Sequence, residues 1–367
     1  MARKGYSAFA DVMQTTADGR DLNDLFAELQ AAADIQNEQQ QNFLSLFSYP
    51  VNSPVTSVLQ TVGGTAGIFE ESSEYGVPLS SRQLADVLNM GATFKWYDAR
   101  WSATWRYLAD ASADEVAANA NAILAADQDH LFNDVMKTVF SNVNRQVVDP
   151  KTDAVYDVFA FANGDGWTPP SYGGQTFSDT HTHYRISGAA AVTSGDLDEI
   201  VDDFKSHGYS AENGAQLVIF VNSVEGNVIS TYRVTDGARA DFIPASGARF
   251  YAEGALIGDQ PSASFAGFPV KGAYDEALII ESSRIPAGYV VALASGGSLA
   301  NSNPIMLRTH PRFSGLTLVE GSRPSYPLVD SYWVRGFGTG IRHRLAGLVM
   351  QIKASGSYVP PTLYVPA

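Results

Sequence analysis

Residues 112–142 read SADEVAANANAILAADQDHLFNDVMKTVFSN and form the strongest helical pattern in the chain. The stretch opens with Ser112 and Glu115 at the spacing of a capping box, in which a hydroxyl and a carboxylate each accept a hydrogen bond from a free amide of the first turn. Apolar residues then recur at helical spacing: Val116, Ala120, Ile123, Leu124, Leu131, Val135 and Val139. The sequence predicts one helix of roughly 28 residues, about 40 Å long, and its narrow apolar stripe is typical of a strut.

Two extended segments precede this helix. Residues 55–62 are β-prone and end at a pair of glycines, and residues 94–105 are aromatic and hold three of the five tryptophans of the chain. The intervening residues 65–92 are polar and rich in turn formers. The pattern predicts a large hairpin-like excursion whose two strands are joined by a polar stretch.

The first 50 residues predict a helix in their middle. Leu22, Leu25, Phe26 and Leu29 share one helical face, and acidic residues stand near its start, where the helix dipole favours them. The polar run at residues 36–41 follows without an apolar stripe. We therefore expect an N-terminal arm whose helix has no obvious core to pack against.

The second half of the chain mixes helices with short strands. Residues 194–204 predict an amphipathic helix that Gly208 ends in the left-handed conformation. Residues 217–221 form an apolar run typical of a buried strand, residues 289–293 predict another, and residues 332–352 predict two more. Because strands and helices do not alternate regularly, the sequence favours a mixed α+β fold over a doubly wound parallel sheet.

Composition narrows the function. The 367 residues carry a net charge of −15, which argues against a general nucleic-acid binder, because neutralising phosphates takes clustered lysine and arginine. Residues 301–367 nonetheless hold seven basic and two acidic side chains. These basic residues either contact acidic parts of the same or neighbouring chains or form a solvated edge.

Cysteine is absent, which excludes disulfides, thiolate metal sites and nucleophilic thiols. No stretch approaches the roughly 18 apolar residues of a membrane span, and polar residues follow the first basic ones where a signal peptide would have an apolar core. We therefore expect a soluble, cytosolic chain.

Two histidines are the best candidates for metal ligands. His181 and His183 stand two apart, so in an extended segment both imidazoles face the same side. A third ligand is not apparent, and rings that only form hydrogen bonds explain the pair more simply. The run Asn163-Gly164-Asp165-Gly166 lacks the alternating acids and terminal glutamate of a calcium loop and predicts a turn. We expect no metal site.

The common catalytic signatures are missing from the sequence. There is no G-x-S-x-G elbow, no Walker lysine and no H-E-x-x-H. Gly336, Gly338 and Gly340 alternate ahead of basic strand residues, which favours tight strand packing or a bulge over a dinucleotide site at a helix start. The aromatic residues 94–107 offer a stacking platform for sugars or bases, although a hairpin packed against another surface needs fewer assumptions. The sequence predicts no catalytic residue, no cofactor and no enzymatic activity.

The order of elements resembles that of the major capsid proteins of tailed bacteriophages, which have the Hong Kong 97-type fold. That order is an N-terminal arm, a long hairpin, a long strut helix, an α/β unit and a strand-rich return. Short runs look like capsid proteins of phages infecting actinobacteria: His181-Thr182-His183-Tyr184, residues 192–198, His207-Gly208-Tyr209, Gly214-Ala215-Gln216, and residues 335–344 and 348–352. The resemblance spans most of the chain from about residue 50 onward, and none of its runs is catalytic.

The resemblance implies a division of the chain and a function. The implied parts are an N-terminal arm (1–54), an extended loop over a neighbouring subunit (55–110), a peripheral domain with the strut as its spine helix (111–184 and 321–367) and an axial domain (185–320). The implied function is self-assembly into hexamers and pentamers that form an icosahedral shell around double-stranded DNA. Such a chain belongs in the virion, and in the host cytoplasm during assembly.

The implied partners are copies of the chain itself, with scaffolding, portal and capsid-decoration proteins as further candidates. Packaged DNA would meet the interior only through non-specific contact, and no membrane is implied. Because the chain is acidic, we expect an inner wall that repels the DNA.

Three other functions stay open: an encapsulin-like compartment with the same fold, a carbohydrate-binding or adhesion module built on the aromatic residues, and a hydrolase with dispersed acids. Some members of the capsid family cross-link a loop lysine to an asparagine of a neighbour. Residues 70–78 hold no lysine, and Lys95 stands on the expected return strand. We therefore predict a shell without covalent cross-links. Whether the first 50 residues are a retained arm or a segment removed in maturation stays open.

Overall fold

The computed structural model describes residues 15–62, 86–100, 105–247, 260–265, 267–319 and 332–365. Its helices are α1 (Leu22–Phe47), α2 (Trp105–Asp110), α3 (Ala113–Phe140), α4 (Ser194–Ser206) and α5 (Ser223–Ile229). Its strands are β1 (Ser48–Val51), β2 (Val55–Leu59), β3 (Val87–Gly91), β4 (Lys95–Arg100), β5 (Arg145–Val148), β6 (Val155–Val158), β7 (Tyr184–Ile186), β8 (Gln216–Val221), β9 (Ile243–Pro244), β10 (Ser264–Phe265), β11 (Phe268–Tyr274), β12 (Ala277–Glu281), β13 (Tyr289–Ser295), β14 (Ile305–Thr309), β15 (Thr317–Val319), β16 (Tyr332–Ile341) and β17 (Gly347–Gln351). None of these helices combines the length and the apolar character that crossing a bilayer requires.

Helix α3 confirms the predicted strut and its capping box. Ser112 Oγ accepts a hydrogen bond from the Glu115 amide at 3.3 Å, and the Glu115 carboxylate accepts one from the Ser112 amide at 2.9 Å. The second half of α3 enters the main core with the buried residues Leu131, Phe132, Val135, Met136, Val139 and Phe140. The strut therefore joins the main core to a second helical layer at its other end.

Helix α1 forms that helical layer, so the expectation of a helix without a core to pack against is wrong. Its residues Leu22, Leu25, Leu29 and Ala33 pack with Val116, Ala120 and Leu124 of α3. The polar run contributes hydrogen bonds to this packing, because the side-chain amide of Gln36 donates to the Leu124 carbonyl at 2.8 Å. Asn37 donates to the Leu316 carbonyl and accepts from the Leu316 amide, both at 2.9 Å. These partners lie 88 and 279 residues away along the chain, beyond the reach of a local pattern.

A mixed sheet of eight strands carries most of the second half of the chain. Its order is β10-β11-β12-β8-β13-β17-β7, with β9 paired to β11. Alternate residues of β8 enter two different cores: Val218 and Phe220 on one face, and Leu217, Ile219 and Val221 on the other. Helix α4 covers the second face and is followed by Gly208 at φ +87°. The predicted strand at 217–221 and the predicted helix at 194–204 are confirmed.

A sheet of five strands corrects the predicted hairpin. Its order is β1-β14-β16-β15, and the aromatic strand β4 also pairs with β16. Strand β2 pairs instead with β3, from Val55 opposite Gly91 to Leu59 opposite Val87. The strand that returns beside β2 is therefore β3, within residues 65–92, which the sequence had predicted to be polar and turn-rich. Lys95 lies on β4, in the five-stranded sheet. Residues 70–78, which the cross-link prediction concerns, lie outside the described residues.

The alternating glycines of β16 confirm the predicted close strand packing. A Cβ atom at Gly338 would overlap the Thr93 carbonyl, and one at Gly340 would overlap the Gly91 carbonyl. The backbone that connects β3 to β4 therefore crosses β16 at a distance that only glycine permits.

Candidate functional site

The hairpin of β2 and β3 is held at its far end by buried hydrogen bonds. Gln60 is 1% exposed, and its side chain donates to the Arg342 carbonyl and accepts from the Arg344 amide, both at 2.9 Å. The Gln60 amide donates to the Asp86 carbonyl at 2.8 Å, and Trp167 Nε1 donates to Asp86 Oδ2 at 2.9 Å. We term Gln60, Asp86, Trp167 and Arg344 the loop root, because Gln60 and Asp86 flank residues 63–85 in the sequence.

Arg344 is the charged centre of the loop root. Its buried guanidinium donates to Asp165 Oδ2 at 2.9 Å, to Asn163 Oδ1 at 3.0 Å and to the Ala160 carbonyl at 3.1 Å. The Trp167 ring lies 4.7 Å from it, within cation–π range. Burial by itself raises the pKa of Asp165, but the charge and hydrogen bonds of Arg344, together with hydrogen bonds from Asn144 and Trp167, outweigh burial and lower that pKa. The run at residues 163–166, predicted as a turn, thus supplies the counter-charge of a buried arginine.

Further arginines of the basic C-terminal region are paired within the chain. Arg308 Nη2 lies 2.8 Å from Asp149 Oδ2, and Arg335 Nε lies 2.8 Å from Asp127 Oδ1. All four side chains of these two pairs are largely buried. The charge pattern left open whether these arginines contact acidic parts of the same chain, contact a neighbouring chain or form a solvated edge. Arg308 and Arg335 contact acidic residues of the same chain.

Two apolar pairs point away from the cores. In the hairpin of β2 and β3, Leu59 lies opposite Val87, and they are 48% and 52% exposed. In the hairpin of β5 and β6, Val148 lies opposite Val155, and they are 54% and 61% exposed. Because directly opposed side chains of an antiparallel ladder are close neighbours, each pair forms one apolar spot. We term these the apolar pairs.

The aromatic segment forms strand β4 of the five-stranded sheet, where five of its six residues are exposed and Trp96 is 50% exposed. Trp96 on β4 meets Phe94 and Phe313 edge-on, with ring planes at 89° and 80°. Rings arranged in this way do not present parallel faces to a planar ligand. The ring geometry argues against a stacking platform, and β4 pairs with β16 and not with the first strand of the predicted hairpin. Trp101 and the side chain of Trp105 lie outside the described residues.

The two candidate histidines lie beside two residues that the sequence did not suggest as ligands. His181 and His183 precede β7 and approach Asp203 of α4 and His207, which caps the C-terminus of α4. His181 Nε2 lies 3.1 Å from His183 Nε2 and 2.9 Å from His207 Nε2, and His183 Nε2 lies 3.3 Å from Asp203 Oδ2. The four ligand atoms all lie within 4.8 Å of one another. We term these residues the histidine cluster.

Burial keeps the imidazoles of the histidine cluster neutral. It lowers the pKa of His181, lowers that of His183 well below its usual range, and lowers that of His207 to about 2, with neighbouring His183 adding to the last shift. Sequence reasoning missed Asp203 and His207 because they follow the histidine pair by about 20 residues. The available signal was their spacing of four along a predicted helix, which places them on one face.

Comparison with known proteins gives a strong match to a solved structure. No family model and no curated protein matches the chain. A solved chain described as Mycobacterium phage Patience is 36% identical over 99% of this chain and 97% of that chain, with a TM-score of 0.69.

Two further solved chains are more distant. One from the capsid of a native GTA particle is 15% identical over 85% of this chain and 90% of its own length, with a TM-score of 0.45. The SrpI encapsulin of Synechococcus elongatus is 10% identical over 87% and 90% of the two chains, with a TM-score of 0.43. Neither of these distant likenesses carries an argument about this chain.

Proposed function

The chain belongs to the family of major capsid proteins with the Hong Kong 97-type fold, and from this premise we propose how its elements join neighbouring copies. As a structural, non-enzymatic protein it forms the icosahedral shell of a phage, and it resides in the virion capsid. Capsid proteins of this family self-assemble into capsomers. We propose that here the capsomers are hexamers and pentamers, and that the apolar pairs form part of the contacts between copies.

The apolar pairs carry this proposal. Each lies on a sheet that has two strands among the described residues, with one face toward the body and the other toward solvent. An apolar spot that an isolated chain leaves in water gains free energy when another copy covers it. A shell built from one repeated chain needs many such modest contacts, and closed symmetry stops their growth.

We propose that the loop root directs residues 63–85 over a neighbouring subunit. Hydrogen bonds hold Gln60 and Asp86, which lie on either side of this segment in the sequence. A fixed root lowers the entropy lost when the segment docks. On this proposal residues 55–110 form the extended loop, residues 1–54 the N-terminal arm, residues 111–184 and 321–367 the peripheral domain, and residues 185–320 the axial domain.

The further partners are also part of the proposal. Scaffolding, portal and capsid-decoration proteins are candidates, and assembly takes place in the host cytoplasm. Packaged DNA meets the interior only through non-specific contact, and no membrane is involved. The net charge of −15 supports an inner wall that repels the DNA. A basic interior surface in assembled particles would contradict this part.

The test replaces the apolar pair of the second hairpin by Val148→Thr and Val155→Thr. Threonine keeps the shape and the strand propensity of valine, so the chain should still fold. Each substitution exchanges a methyl group for a hydroxyl and loses about 0.8 kcal/mol of apolar burial. The two substitutions together therefore weaken each contact between copies by roughly 15-fold. Size-exclusion chromatography and electron microscopy should then show wild-type chains in closed shells and a much larger unassembled fraction for the double variant.

Gln146→Thr is the matched control, because Gln146 is exposed on the same hairpin. It should assemble like the wild type. If the double variant also assembles like the wild type, the apolar pairs do not face a neighbour. If the wild-type chain remains a folded monomer under all conditions, the proposal as a whole fails.

A further inference from the structure

We propose that the histidine cluster binds a divalent cation of the zinc class through Nε2 of His181, His183 and His207 and a carboxylate oxygen of Asp203. The site joins the segment before β7, at the edge of the eight-stranded sheet, to the C-terminal end of α4. This proposal replaces the expectation, drawn from the sequence alone, that the histidines only form hydrogen bonds.

Three of the spacings between ligand atoms fit a tetrahedral ion, and all of them are within 4.8 Å. Zinc bound at about 2.0–2.1 Å to nitrogen holds its ligand atoms roughly 3.3 Å apart. The distances from His181 Nε2 to the other two Nε2 atoms are 3.1 and 2.9 Å, and His183 Nε2 lies 3.3 Å from Asp203 Oδ2. Three imidazoles and one carboxylate are a donor set that zinc accepts.

Hydrogen bonding alone does not satisfy the histidine cluster. His183 Nδ1 lies 2.7 Å from the Gly347 carbonyl, which can only accept, so Nδ1 carries the hydrogen and Nε2 of the neutral ring presents a lone pair. That lone pair faces Asp203 Oδ2, which is also an acceptor and is buried without a hydrogen-bond partner. Two acceptors at this distance repel each other unless a proton or a metal ion lies between them.

His181 and His207 meet the same difficulty. If His181 Nε2 presents a lone pair, it faces the lone pair of His183 Nε2 at 3.1 Å. If it carries the hydrogen, that single N–H faces the lone pairs of both His183 Nε2 and His207 Nε2 and can satisfy only one of them. In either arrangement of neutral rings Asp203 Oδ2 receives no hydrogen from His183, whereas a bound cation would be contacted by the three Nε2 lone pairs and by Asp203 Oδ2.

The surroundings are those of metal ligands. A ligating histidine usually donates its second nitrogen to a backbone carbonyl or carboxylate, as His183 does to Gly347. Arg185 donates to Asp203 Oδ1 at 2.8 Å and leaves Oδ2 for the cation.

The site is structural in character. Four protein ligands complete a tetrahedron, which leaves no open position for a substrate. His181 is partly exposed and provides the route of entry, while the Phe177 ring lies 4.1 Å from the His207 ring and 5.2 Å from the His181 ring. The ion would therefore fasten α4 to the sheet within one chain, independently of how copies assemble.

The experiment titrates the full-length chain, stripped with EDTA, with Zn²⁺ and separately with Co²⁺. We expect about one Zn²⁺ per chain by elemental analysis and the strong visible absorption of four-coordinate Co²⁺. His181→Gln should weaken Zn²⁺ binding at least tenfold, because it removes the most accessible ligand. His310→Gln is the control and should bind Zn²⁺ like the wild type, because His310 lies outside the histidine cluster.

The outcomes separate clearly. Wild-type chain without bound Zn²⁺, or His181→Gln binding as tightly as wild type, overturns the proposal. If His181→Gln is insoluble, the wild-type Co²⁺ spectrum decides, and absence of four-coordinate absorption overturns the proposal. Particle formation is scored separately by electron microscopy, so a failure to assemble is distinguishable from a failure to bind metal.

Discussion

Replacing Gln60 by alanine removes both hydrogen bonds that its side chain makes at the loop root. The Arg342 carbonyl loses its donor and the Arg344 amide loses its acceptor. Both residues are buried, at 5% and 1% exposure, so water does not readily replace the lost partners. The substitution therefore tests whether one side chain holds the turn between β16 and β17 against the base of the extended loop.

The magnitude follows from the two groups left unpaired. A buried donor or acceptor without a partner costs about 1–3 kcal/mol, so the two together cost about 2–6 kcal/mol. If this cost destabilises only the closed form of the turn, the equilibrium constant for local opening rises by at least roughly 30-fold. The cores on either side of the turn keep their apolar contacts, and we expect the chain to remain folded.

Hydrogen–deuterium exchange followed by mass spectrometry measures this opening. Peptides covering residues 341–346 should exchange at least roughly 30-fold faster in Gln60→Ala than in wild type, while peptides from β8 should be unchanged. Gln30→Ala is the matched control, since Gln30 is exposed on α1. Unchanged exchange at residues 341–346 in a folded Gln60→Ala chain would refute the reasoning and assign the turn to Arg344 and Asp165 alone. The same variant should also form fewer closed shells, because the loop leaves a less ordered root.

Three further predictions concern stability and assembly. Gly338→Ala should abolish soluble protein, because its Cβ would overlap the Thr93 carbonyl. Gly195→Ala in α4 is the control, because its Cβ would have ordinary contacts. Urea denaturation should show Gly195→Ala to be neutral or stabilising by up to about 1 kcal/mol. Burial alone raises the pKa of Asp149, but hydrogen bonds, including that of Arg308, outweigh it and lower the pKa below 3.8. The stabilisation by Asp149 is thus complete above pH 3.8 and lost as the pH falls through the lowered pKa, and Asp149→Asn should remove this component from the pH dependence of unfolding. Denaturing gels of assembled shells should show a single band, and a ladder of multimers would contradict the prediction of no covalent cross-links.

The local patterns of the sequence predicted the elements that depend on neighbouring residues. The capping box of Ser112 and Glu115, the stripe of α3, the helix α4 with Gly208 after it and the buried strand β8 all have the predicted form. Their signals lie within one or two turns or one strand of sequence. The facing of His181 and His183 toward one site also follows from a spacing of two.

Only the tertiary structure decided which elements meet. Sequence periodicity describes each segment by itself. The structure shows that β4 pairs with β16, that β2 pairs with β3 and that α1 packs on α3. It also places Asp203 and His207 beside the two histidines. The physical reason is that a hydrophobic period shows which face of an element is buried, but many surfaces can bury that face equally well. The choice among them depends on close packing and on the pairing of buried polar groups, which exist only after distant segments of the chain have come together.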